Sequence, residues 1–68
     1  MDEAEERELR ERLAELRAEH RELDTRIAAI EATAPFDQLT ISRMKKRKLQ
    51  IKDLLATLED RLFPDIIA

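Results

Sequence analysis

Ionisable side chains dominate this sequence: 16 acids, 13 bases and one histidine among 68 residues. The residue types that carry nucleophilic or metal chemistry are nearly missing. There is no cysteine, which excludes disulfides and thiolate metal sites. His20 alone leaves a zinc site of the usual nitrogen and sulfur type short of ligands within one chain. There is no glycine either, so phosphate-cradling loops and nucleophile elbows are excluded directly. Carboxylates are plentiful, but nothing in the pattern builds the concave, desolvated pocket that would perturb their pKa values. The expectation is a protein that is not an enzyme, with no catalytic residue, no cofactor and no metal.

One concentrated charge feature remains. Arg43, Lys45, Lys46, Arg47, Lys48 and Lys52 are six of the seven bases in residues 32–68, and no acid interrupts them. Such a run can bind phosphate-rich partners, either nucleic acid or an anionic lipid surface. It can also be neutralised within the chain, because residues 1–31 carry eleven acids and six bases, a net −5. Neutralisation is the preferred reading. The whole chain is net −3, and no aromatics interleave with the bases for stacking. In favour of nucleic acid, an oligomer would repeat the patch and multiply weak contacts.

These side chains must be positioned by helices. Asp2 and Glu5 have the spacing of a capping pair, and Glu3, Glu5 and Glu6 suit the positive end of a helix dipole. Leu9, Leu13, Leu16, His20, Leu23, Ile27, Ile30 and Ala34 follow alternate steps of four and three, a heptad seam with d at Leu9 and a at Leu13. Pro35 stops it. Asp37 is a second N-cap, and Phe36 is placed to pack on Ile41 as a hydrophobic staple. The second seam runs Ile41, Met44, Lys48, Ile51, Leu55, Leu58 and Leu62. The expected organisation is one domain over 1–68: helix one about 3–33, a turn at 34–37, helix two about 38–63, and a short apolar tail at 64–68.

The two seams fit each other when the chain doubles back. Ile30 with Ile41, Ile27 with Met44, Leu23 with Lys48 and His20 with Ile51 have residue numbers summing to 71. Leu16 with Leu55, Leu13 with Leu58 and Leu9 with Leu62 give the same sum. The fold class is therefore all-α, an antiparallel two-helix coiled-coil hairpin. Flanking charges support this register: Glu31 with Lys45, Asp24 with Lys52, Arg17 with Glu59, and Glu19 with Arg47. Each exposed pair is worth on the order of 0–1 kcal/mol.

A hairpin of this size rarely buries enough surface to be comfortably stable alone. Helix two carries spare apolar residues outside the seam: Leu49, Ala56 and Phe63 at steps of seven, with Leu54 read as widening the stripe. An exposed apolar row usually marks a contact. We expect a homo-oligomer, most simply a dimer of hairpins forming a helical bundle. Two seam positions are polar. His20 and Lys48 are read as register-fixing layers, in preference to a pH switch at His20. The Lys48 stem can lie along Leu23 while its ammonium meets Asp24 or Glu19.

From Glu19 to Ala68 the sequence resembles the YdcH-like proteins, small bacterial coiled-coil proteins forming a domain of unknown function. The residues that carry the resemblance are Glu19-His20, Leu23-Asp24, Ile41 through Leu49, Ile51-Lys52-Asp53, and the ending Pro64 to Ala68. Met44 stands where leucine is common in such sequences. The resemblance implies a cytoplasmic bacterial protein and brings no catalytic residue with it. No stretch approaches the ~20 apolar residues of a membrane span, and the acidic start does not read as a secretory signal. Taken together, the residues suggest an interaction or adaptor protein that self-associates and offers a helix face to an unidentified protein partner. The alternative is a small nucleic-acid-associated regulator that uses the basic run.

Overall fold

Each helix begins on an aspartate. In the computed structural model, which describes residues 1–64, the Asp2 carboxylate accepts a hydrogen bond from the Glu5 N–H at 2.8 Å and opens α1 (Glu3–Thr33). The Glu5 side chain forms no return bond among the described residues, so the expected capping pair works in one direction. Asp37 likewise accepts from the Thr40 N–H at 3.3 Å and opens α2 (Gln38–Leu62). Residues 65–68 of the expected apolar tail lie outside the described residues.

Pro35 turns the chain. The Asp37 N–H donates to the Ala34 carbonyl at 2.9 Å, closing a four-residue turn with Pro35 at its second position, where its fixed φ is favoured. The Gln38 side-chain amide ties the same turn by donating to the Pro35 carbonyl at 2.6 Å. This geometry overturns one expectation. Phe36 occupies the third position of the turn and projects outward, 85% exposed, while Ile41 faces the seam at 3%. The Asp37 backbone, at φ −85° and ψ 62°, departs from the extended form that a staple needs. No staple forms.

The helices lie side by side and antiparallel along a body 48 Å long. That is about the length of 31 residues rising ~1.5 Å each. Leu13, Leu16, Leu23, Ile27, Ile41 and Ile51 are buried. Leu16, Leu23 and Ile51 pack together, with Met44, Leu55 and Leu58 against them. Leu9, Ile30, Ala34 and Leu62 are half-buried, as are the polar seam residues His20 and Lys48. Every position of both predicted seams thus faces inward, at least in part.

Cross-helix ion pairs report the register independently. Arg17 meets Glu59 at 3.4 Å, Glu19 meets Arg47 at 2.9 Å, and Asp24 meets Lys48. Their residue numbers sum to 76, 66 and 72, on either side of the 71 set by the apolar layers. Two expected pairs do not form, while the expected meeting of Lys48 with Asp24 does. Asp24 takes Lys48 in place of Lys52, because the Lys48 stem already lies in the seam and delivers its ammonium to the adjacent edge. Glu31 and Lys45 do not pair; both are exposed, and water competes well at such sites.

Candidate functional site

Three groups of side chains stand out on this frame: a polar layer in the seam, the basic run, and the spare apolar row of α2.

The polar layer is built by Lys48, Asp24 and His20. Lys48 and His20 are each half-buried. The Asp24 carboxylate receives the Lys48 ammonium on one oxygen and lies 3.6 Å from His20 Nδ1 on the other. The hydrogen bond from Lys48 holds the Asp24 carboxyl below its ordinary value of 3.8, against the opposing desolvation and with help from the charges of Lys48 and His20. The arrangement fixes a lysine in an apolar seam by giving it an acid at the rim. The Asp24 carboxylate is thereby shifted away from the range a general acid or base needs.

The basic run is divided by the fold. Arg47 and Lys48 are engaged with Glu19 and Asp24. Arg43, Lys45, Lys46 and Lys52 have no ion-pair partner among the described residues and are exposed. Neutralisation by the acidic first helix therefore covers only part of the run. Arg43 and Lys46 point away from the seam, whereas Lys45 and Lys52 lie along one edge of it.

The apolar row follows from helix geometry. Seven residues bring a helix almost back to the same angle, so Leu49, Ala56 and Phe63 align over about 21 Å of α2. Leu49 is 60% exposed and Ala56 is exposed. Phe63 is half-buried, because the Arg10 guanidinium lies over its ring at 5.8 Å. Leu54 does not belong to this row. Five residues beyond Leu49 it is turned by about 140°, onto the opposite edge, the one that carries Glu19 and Arg47. There it is 42% exposed. The row shares its edge with Arg17 and Glu59: one shallow groove is lined by Arg17, Glu59, Asp60 and Phe63, another by His20, Lys48, Lys52, Leu55, Ala56 and Glu59.

Sequence reasoning missed two features. Arg10 as the cover of Phe63 was accessible, since the register places residues 10 and 63 close to level. The exposed pair at the hairpin tip, Phe36 at 85% and Leu39 at 64%, was hidden by the assumption of a staple. Among the described residues no group of three or more histidines, cysteines or acids is placed to hold a metal ion. No helix there is long and apolar enough to cross a membrane.

Comparison with known proteins gives one finding. A family model described as "Protein of unknown function (DUF465)" matches residues 13–59, more than half of the chain. The match takes in the polar layer, the basic run and two of the three row residues, Leu49 and Ala56. No match was found among curated proteins or among solved structures.

Proposed function

The chain belongs to the YdcH-like family, DUF465, to which no function is assigned, and from that premise we propose that it is a non-catalytic interaction module that works by self-association. Its working surface is the edge of α2 carrying Leu49, Ala56 and Phe63, and a protein partner would use the same edge. The observation that carries this reading is Leu49, a large apolar side chain 60% exposed in a row of three. The core offers a reason for a second copy to cover it. Among the described residues six side chains are buried hydrophobics, and a single core in a chain this small rarely supplies more than about 3–5 kcal/mol. Among the described residues no acid is buried, whereas acid–base catalysis usually draws on a desolvated carboxylate in a cleft. On the family resemblance we place the protein in the bacterial cytoplasm.

Sedimentation of the wild type and of Leu49→Glu tests the proposal. The wild type should exceed the 8.0 kDa of one chain, and the variant should fall to it while keeping its helical circular dichroism. A wild type that sediments as a single chain at every concentration would remove the basis of the reading. Affinity capture from a bacterial lysate then addresses a partner: a protein recovered with wild type and lost with Leu49→Glu would use this edge.

A second reading rests on the unengaged bases. Arg43, Lys45, Lys46 and Lys52 form an exposed cationic group that could bind nucleic acid through phosphates. Reversing charge at Lys45, Lys46 and Arg47 should then abolish salt-dependent retention on DNA or RNA. No retention of the wild type at about 50 mM salt, where the electrostatic contribution is strong, would dispose of this reading.

A further inference from the structure

From the charge distribution and the apolar row together, we infer that two copies of this chain associate with their hairpin tips at opposite ends, in a register centred on Ala56. The inference rests on the self-association proposed above and specifies its geometry.

Charge is segregated along the rod. The half nearer the turn, residues 21–50, holds seven bases (Arg21, Arg26, Arg43, Lys45, Lys46, Arg47, Lys48) and four acids (Glu22, Asp24, Glu31, Asp37), a net +3. The open half, residues 1–20 and 51–64, holds the remaining six bases and eleven acids, a net −5. The body is 48 Å long, several times the ~8 Å over which salt screens charge. Each end therefore interacts only with what lies directly against it. Tips at the same end would set positive against positive and negative against strongly negative. Tips at opposite ends set each positive half against a negative one.

The apolar row selects the same orientation by a separate route. Two hairpins stacked edge to edge with tips at opposite ends bring α2 against α2, running antiparallel. A row at residues 49, 56 and 63 then matches itself: Leu49 faces Phe63 of the second copy, and Ala56 faces Ala56 on the two-fold axis. Ala56 is small enough for close approach there. At the level of Ala56 the hairpin register places Glu15 on α1, next to the exposed Ala14, so both helices present an alanine near the axis. With tips at the same end, α2 would instead lie over α1 of the second copy. Leu49 and Phe63 would come level with Glu22 and Glu8, beside Arg21 and Arg7. An apolar row would then be buried against charge.

The two arguments converge on position as well as direction. In the register centred on Ala56, Lys45 and Lys46 come level with positions 4 and 5 of the second copy's α1, beside Glu3; Glu5 lies on the opposite edge, in the groove with Arg61. Lys52 comes level with Glu59 and Asp60. None of Lys45, Lys46, Lys52, Glu3 and Asp60 has an ion-pair partner within its own chain among the described residues. The bases left over by one hairpin thus meet the acids left over by another.

The absence of native cysteine makes the test direct. Ala56→Cys should cross-link to itself on mild oxidation, since β-carbons on the two-fold axis can come within the ~3.5–4.5 Å a disulfide requires. An equal mixture of Ala14→Cys and Ala56→Cys should give little 14–56 product. The reverse pattern, abundant 14–56 product and no 56–56, would place the tips together and overturn the inference while leaving self-association intact. A protein that cross-links nowhere and sediments as one chain would remove both. Charge exchange supplies a second readout. Lys45→Glu, and separately Glu3→Lys, should each weaken self-association, and mixing the two variants should restore it. Failure of mixing to restore association would also count against the opposed arrangement.

Discussion

Helix α2 carries two apolar stripes of similar composition with opposite fates. The seam stripe, Ile41 to Leu62, ends with Ile51 fully buried and Ile41 at 3% exposure, because α1 supplies a matching stripe in register. The outer row leaves Leu49 60% exposed, because nothing among the described residues covers it. Hydrophobicity alone does not separate the two. A partner in phase does. The seam is answered within the chain, and the outer row is proposed to be answered by a second copy. The comparison therefore predicts that similar substitutions will act through different equilibria in the two stripes.

The largest effect should come from the seam. Leu16→Ala removes a side chain that is 1% exposed and should cost about 2–5 kcal/mol. That is comparable to the whole stability expected of so small a domain. Thermal or urea unfolding followed by circular dichroism should show it as loss of the folded baseline. Next comes the helix start. Asp37→Ala deletes the acceptor for the Thr40 N–H and should cost about 1 kcal/mol, measurable as a lower urea midpoint without a change in m-value.

A smaller effect concerns acid. The Asp24 carboxyl is held below 3.8 in the folded protein by Lys48, so the unfolded chain binds that proton more readily. The stabilisation from this group is complete above that ordinary value and is lost as pH falls through the folded value. Wild type should lose stability below about pH 4 more steeply than Asp24→Asn, with parallel curves at higher pH. The smallest effect should come from the surface. Phe36→Ser should change stability by no more than about 0.5 kcal/mol, since the ring is 85% exposed and staples nothing. A loss of 1 kcal/mol or more would mean that the ring packs after all.

The seam was legible because it depends only on counting. Steps of three and four over fifteen positions, a proline between the two series and a constant pairing sum leave little freedom, and all fifteen residues face inward at least in part. Features set by one backbone torsion or one rotamer were not legible. Whether Phe36 staples Ile41 depends on the backbone of Asp37, which the Ala34–Asp37 turn redirects. The sequence offered Asp24 both Lys48 and Lys52, and which of the two it takes depends on where a long stem lies. Leu54 was a different matter. Its five-residue offset from Leu49 already places it on the other edge, so the information was in the spacing and was misapplied. The division of the basic run needed side-chain positions, because Arg47 and Lys48 differ from their neighbours only in which acid each can reach.

The hairpin brings the start of α1 beside the end of α2, and a distance measurement tests this most directly. Spin labels on Glu5→Cys and Arg61→Cys, which line one groove at the open end, should lie within about 20 Å by pulsed electron resonance. Dilution into unlabelled protein would leave only the distance within one chain. A continuous helix would separate these positions by about 84 Å at ~1.5 Å per residue. A distance in that range would contradict the hairpin and every register drawn from it.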